Sequence, residues 1–218
     1  KMDPYFSGNN FDRKKIINSL GLDLEKPVVL FAPTYKPTCL YDLKEAIFKS
    51  TKDYNLIIKL HHYAWMGKYA SHRQHKIFED QIEQYPHAII IPKEDYNILP
   101  LLFVANTLVS EASGAITEFL ATGKTGVIYN LNQESLKHSD GEALLGFDNR
   151  EYLKESFVHV DTPDELHAGI KFALNPSDEM KKAQERDKKK IFSKLDGHAS
   201  IRVKQIVEQL ISDNIKVQ

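Results

Sequence analysis

Short apolar runs alternate with stretches whose apolar residues recur at helical spacing along almost the whole chain. That alternation is the pattern of successive β-strand and α-helix units. Val28-Val29-Leu30-Phe31-Ala32, ended by Pro33, reads as a first buried strand. Leu56 to Leu60 is the second and stops at His61-His62; Ala88 to Ile91, closed by Pro92, is the third. Thr107 to Val109, Gly126 to Tyr129 and Phe157 to Val160 supply a fourth, fifth and sixth. Between them the spacing of Leu43, Ala46 and Ile47 predicts a helix over 42–50 with Asp42 as N-cap. Ser71 caps a predicted helix that runs to about Tyr85 and turns Ile77, Phe78 and Ile82 inward. A short helix over 97–104 should bend at Pro100, and one over 114–122 is ended by Gly123. After the sixth strand, Asp161 or Thr162 caps a helix that Pro163 opens. The tail predicts helices over 177–192 and 199–212.

Strands that are apolar on both faces and separated by helices belong in a parallel sheet covered on both sides. A closed barrel needs eight such units, and only six are visible. The expected fold is therefore α/β, a doubly wound parallel sheet of Rossmann-like type. Residues 130–156 are the least regular and read as a surface loop region over one edge. Lys1-Met2-Asp3-Pro4 reads as entry into an excised domain, so residues 1–27 are expected to be a linker and 28–218 a single domain.

With 218 residues, 42% of them hydrophobic, the chain can bury a core large enough to be stable alone. Its formal charge of −1 gives no overall field to recruit nucleic acid or anionic lipid. No apolar run approaches the ~18–20 residues that cross a bilayer, and no signal peptide is visible. The single cysteine, Cys39, excludes an internal disulfide and suggests a reducing compartment, with the cytoplasm as the expected location.

In doubly wound sheets ligands lie at the carboxyl ends of the strands. That rule selects Pro33-Thr34-Tyr35-Lys36, His61-His62-Tyr63, Ser110-Glu111-Ala112-Ser113-Gly114 and Asn130-Leu131-Asn132. The third is the most informative. A strand runs through Ser110 into small residues and at once into a helix, so Ser113 and Gly114 could hold a phosphate at unpaired N–H groups. The simpler reading is that Ser113 N-caps the helix and Gly114 eases the turn. Glu118, one helical turn beyond Gly114, could accept both hydroxyls of a ribose or remain a solvated helix glutamate. His61 ends a buried strand, where it could move a proton or donate to a phosphoryl oxygen, or bond a neighbouring backbone group; His62 is a weaker candidate. His72 and His75 share a helix face near that pair in sequence, yet no carboxylate or cysteine completes a zinc shell, and no metal is expected. The basic run Lys181 to Lys190 contains Glu185 and Asp187 and reads as a solvated helix face.

Taken in order, these segments resemble the CDP-glycerol glycerophosphotransferase family, which builds teichoic-acid-like polymers. The run from Val28 through Ala32-Pro33-Thr34-Tyr35 resembles its strand ending in "APT" and an aromatic, and Ile57-Ile58-Lys59-Leu60-His61 resembles "IIKLHP". Leu108 to Gly114 with Glu118-Phe119-Leu120 stands where the family has "LISDYSS…DFL", and Lys124 to Tyr129 where it has "KPVIFY". Asp196-Gly197-His198-Ala199-Ser200-Ile201-Arg202 is similar to "DGKASER". The resemblance implies the C-terminal lobe of a GT-B fold, a CDP-linked alditol donor, and transfer of glycerol phosphate to a hydroxyl with release of CMP. It places His61 at the reacting phosphate, Thr34, Ser110, Ser113 and Gly114 around the donor, Glu118 on its ribose, and Ser200 and Arg202 at a further phosphate contact. No cofactor is implied. The polymer or lipid-linked acceptor would enter through an N-terminal lobe, and any approach to the inner face of the cell membrane would be made by other parts of the protein.

Three departures from the family pattern bear on that expectation. Glu111-Ala112-Ser113-Gly114 replaces Asp-Tyr-Ser-Ser and is similar to the "SGG" loop of UDP-N-acetylglucosamine 2-epimerases; His62 replaces a proline; His198 replaces a lysine. The alternatives are a UDP-sugar glycosyltransferase or epimerase on the same scaffold, and a lobe that binds nucleotide without catalysis.

Overall fold

The computed structural model describes residues 2–7, 12–66, 72–111, 113–132 and 150–215. In chain order its α-helices are α1 (Asp3–Phe6), α2 (Arg13–Ser19), α3 (Leu40–Leu43), α4 (Ala46–Ser50), α5 (Lys76–Glu79) and α6 (Leu99–Val104). They continue with α7 (Gly114–Leu120), α8 (Leu166–Leu174), α9 (Asp178–Ile191) and α10 (Ala199–Ile215). The strands are β1 (Val28–Phe31), β2 (Asn55–Ile58), β3 (Ala88–Ile90), β4 (Thr107–Ser110), β5 (Val127–Tyr129) and β6 (Val158–Val160). The chain forms two compact units, Arg13–Lys188 and a smaller one made of Lys1–Asp12 with Lys189–Gln218.

In the larger unit the six strands lie in the order β3-β2-β1-β4-β5-β6, every neighbouring pair parallel. This is the doubly wound Rossmann-like arrangement. All four residues of β1, β2 and β4 are buried. Both faces of these strands are therefore covered, as continuous apolar runs require. Val29, Phe31, Leu56, Ile58 and Val109 pack with Phe48 of α4, Phe78 of α5 and Ile170 of α8. The alternate residues, Val28, Leu30, Ile57 and Leu108, are equally buried. Register is fixed by Leu30 opposite Ile57 on one side and Leu108 on the other.

Several local expectations change. Asp42 lies inside α3 and is not an N-cap, because the helix starts at Leu40 so that Leu40 and Leu43, three apart, can both be buried. The helix expected from Ser71 to Tyr85 is reduced to α5 and a separate 3-10 turn, Ile82–Gln84; Ser71 itself lies outside the described residues. Pro100 sits in the first turn of α6, where its missing N–H costs nothing and no bend results. Residues 13–19, expected as linker, form α2 with Ile17 wholly buried. The irregular region is not all surface: Asn130, Leu131, Leu153 and Ser156 are buried, while 133–149 lie outside the described residues. Thr162 and Glu165 form the capping box that opens the turn before α8, and Pro163 follows as expected.

In the smaller unit, Asp3 accepts hydrogen bonds from the N–H and the hydroxyl of Ser200 at the start of α10, both at 2.7 Å. Gly197 has φ +75°, and an added Cβ would lie 2.6 Å from the Ser7 nitrogen, so only glycine fits there. Among the described residues, no helix is long and apolar enough to cross a membrane.

Candidate functional site at the strand-order reversal

The strand order reverses between β1 and β4, and at such a point the loops leaving the two strands part and open a crevice. Pro33-Thr34-Tyr35 leaves β1 there, and Glu111 leaves β4. Glu111 is wholly buried. Its Oε1 accepts the Thr34 N–H at 2.7 Å and lies 3.0 Å from the Thr34 hydroxyl, which also reaches the Pro37 carbonyl. Its Oε2 accepts the Cys39 thiol at 3.0 Å. Burial pushes the Glu111 carboxyl above its ordinary range, opposed by the donors from Cys39 and Thr34. Burial, then the neighbouring Glu111, holds the Cys39 thiol far above its usual value, so it stays protonated. Sequence reading placed Glu111 in the right segment but gave it no role; a carboxylate after an apolar strand carries no sign of which way it points.

His61 stands three residues beyond the end of β2, with β1 next to β2 in the sheet. Its Nδ1 accepts the Tyr63 N–H at 3.2 Å. The neutral ring therefore carries its proton on Nε2 and presents a donor. Burial first, then repulsion from His62 and Lys59, lowers its pKa to about 4, so at neutral pH it is an uncharged N–H donor. Its ring packs with Tyr35 at 4.6 Å between centroids, with His62 at 4.2 Å and with Tyr63 at 5.1 Å. Gln74, almost wholly buried, donates to the Tyr35 carbonyl at 2.9 Å, which ties down the loop carrying that ring.

The sequence-expected donor residues fall into separate groups. Ser110 is wholly buried and donates to the Ala32 carbonyl at 2.7 Å, so its hydroxyl ties the ends of β4 and β1 together. Its effect on a ligand can come only through the backbone it holds. Ser113 is the N-cap of α7, its hydroxyl accepting the Ala115 N–H at 3.2 Å. Gly114 is exposed, and a Cβ added there would meet nothing within 4 Å among the described residues, so no packing against them demands the glycine. Glu118 lies half-buried on the same helix. Ala112 is outside the described residues.

In the smaller unit the Ser200 hydroxyl is engaged by Asp3, and Arg202 grips both oxygens of Asp196 at 2.8 and 2.9 Å. Beyond β5, Asn130 donates to Asp161 at 3.2 Å and its carbonyl oxygen meets His159 Nδ1 at 2.9 Å, so that segment serves the sheet edge. Among the described residues, no group of His, Cys, Asp and Glu is arranged to hold a metal ion. His75 instead packs against Trp65, with its Nδ1 at 2.7 Å from the Ala64 carbonyl.

A family model described as CDP-Glycerol:Poly(glycerophosphate) glycerophosphotransferase matches residues 1–209. No curated protein matches the chain. Among solved structures it is similar to the wall teichoic acid polymerase TagF, with a TM-score of 0.63 and 15% identity over 98% of this chain and 51% of that one. A variant of the same polymerase with CDPG gives a TM-score of 0.64 at 14% identity, again over 98% and 51%. UDP-GlcNAc 2-epimerase from Neisseria meningitidis, bound to UDP-GlcNAc, gives 0.53 at 14% identity, over 92% of this chain and 48% of that one. The chain thus spans about half the length of these structures.

Proposed function

Because the chain belongs to the CDP-glycerol:poly(glycerophosphate) glycerophosphotransferase family, we propose that it is the donor-binding C-terminal lobe of a GT-B transferase. The donor is a CDP-linked alditol of the CDP-glycerol kind. Its diphosphate lies at the carboxyl edge where β1 and β4 part, against Ser113 and Gly114, with Thr34 across the crevice and Glu118 taking the ribose hydroxyls. An acceptor hydroxyl attacks the phosphorus that bears glycerol. The bond from that phosphorus to the bridging oxygen breaks, CMP leaves with the bond's electrons, and the hydroxyl proton passes to solvent or base. Such a transfer needs positioning and charge stabilisation more than covalent help from the protein. A neutral His61, with Nε2–H as donor, can stabilise a phosphoryl oxygen without needing to lose a proton. The family motif also gives Ser200 and Arg202 a donor-phosphate contact.

The observation that carries this reading is the location of Thr34, Glu111, Ser113 and Gly114 in the segments that leave the two strands flanking the order reversal, with His61 in the segment that leaves the adjacent β2. Support for a UDP-sugar alternative comes from the Ser113-Gly114 sequence and the epimerase neighbour. Calorimetric titration with CDP, CMP and UDP tests the choice. We expect CDP to bind best; a preference for UDP of tenfold, about 1.4 kcal/mol, would move the assignment to a UDP-sugar enzyme.

A further inference from the structure

The loop between β1 and α3 carries Tyr35 onto His61, and it is anchored from outside itself. Thr34 opens the loop and Cys39 closes it. Both are held by one side chain of β4's exit: Glu111 Oε1 takes the Thr34 N–H at 2.7 Å, and Oε2 takes the Cys39 thiol at 3.0 Å. We infer that Glu111 is a positioning residue, whose buried carboxyl clasps both ends of this loop and so holds the Tyr35 ring against His61. The inference rests on His61 acting at the donor phosphate, as proposed above.

The geometry leaves the carboxyl little other use. It is wholly buried, so it cannot meet a ligand directly. No lysine or arginine is paired with it among the described ion pairs, so it is not a structural salt bridge. A carboxyl in such a place is costly unless its bonds hold something that matters. What they hold is the residue next to Tyr35, whose ring lies 4.6 Å from His61 and edge-on, 4.9 Å from Tyr63. Burial is the first cause that keeps the imidazole neutral, and the Tyr35 ring lies against it; His62, Lys59 and the Tyr63 ring are the other ionisable side chains beside it.

The test is NMR titration of the histidine rings in the 218-residue chain without donor. Glu111→Asp retracts the carboxyl by one methylene, about 1.5 Å, so it cannot span both Thr34 and Cys39. We expect the His61 midpoint to rise by about one pH unit or more toward the ordinary ~6.5. Tyr35→Leu should give the same rise, and the double variant should add little to either, as coupled residues do. Glu111→Gln keeps the length, an acceptor for Thr34 and an N–H that the Cys39 sulfur can accept in place of donating, so it should keep the wild-type midpoint. An unmoved His61 in Glu111→Asp would overturn the inference. So would an unmoved His61 in Tyr35→Leu, which leaves the buried clasp intact and serves if the aspartate variant fails to fold. Titrating the wild-type chain with CDP-glycerol is a separate arm: absence of binding there would remove the donor assignment and leave the ring measurements standing.

Discussion

Gly114→Ala separates a glycine kept for a ligand from one kept for the fold. The added methyl group meets no atom of the described residues within 4 Å, and the backbone there is not in the left-handed region. As the first residue of α7, alanine should form helix more readily than glycine. The stability gain is about 0.4–1 kcal/mol, or roughly 1–4 °C in Tm for a chain of this size. If a donor phosphate approaches that backbone, the same methyl group displaces it. Losing one hydrogen bond to a charged group costs about 1.5–3 kcal/mol, equivalent to roughly 10–150-fold weaker binding. Differential scanning calorimetry reads the first effect and isothermal titration with CDP-glycerol the second. Opposite signs in the two assays are the expected result. Undiminished affinity in a stabilised variant would refute the phosphate loop.

Other consequences follow from the same geometry. His61 is held neutral down to about pH 4, whereas in the unfolded chain it titrates near ~6.5. The unfolded state therefore binds the extra proton between those values. The stability His61 confers is complete above about 6.5 and is lost as pH falls toward 4. Denaturant melts of His61→Gln should show a shallower loss across that window, by on the order of 1–2 kcal/mol after allowing for solvent screening; parallel slopes would contradict the shift. Gly126→Ala drives a Cβ to 2.6 Å from the buried Phe157 ring and 3.1 Å from the Leu108 carbonyl. Overpacking of that kind costs about 1–3 kcal/mol, and an unchanged Tm would contradict the packing of β5 on Phe157. Cys39, wholly buried and held protonated, should resist a thiol reagent until the chain unfolds; fast labelling of the native protein would contradict the Glu111 clasp.

The sheet was legible because its strands are written as unbroken apolar runs ended by proline, histidine or polar residues, and all six appear within a residue or two of where those runs lie. The helices after β1 and β2 were less legible. Their apolar spacing is satisfied by broken pieces, α3 with α4 and α5 with a 3-10 turn, whose Leu43, Phe48 and Phe78 all still reach the one core cluster with Phe31. Periodicity cannot distinguish one helix from two that share a face. The site segments were readable from the rule that ligands gather at strand carboxyl ends. The roles within them were not: Ser110 looks like a binding serine in sequence, which shows neither its burial nor its bond to the Ala32 carbonyl. Glu111 was passed over for the converse reason, since its partners Thr34 and Cys39 are more than seventy residues away.

The central claim is that a donor diphosphate docks where β1 and β4 diverge. A crystal of this chain soaked with CDP tests it most directly. Density for both phosphates beside Ser113 and Gly114, with His61 Nε2 facing the terminal phosphate, is the expected result. Well-defined CDP at another edge of the sheet, with that crevice filled by side chains, would contradict it.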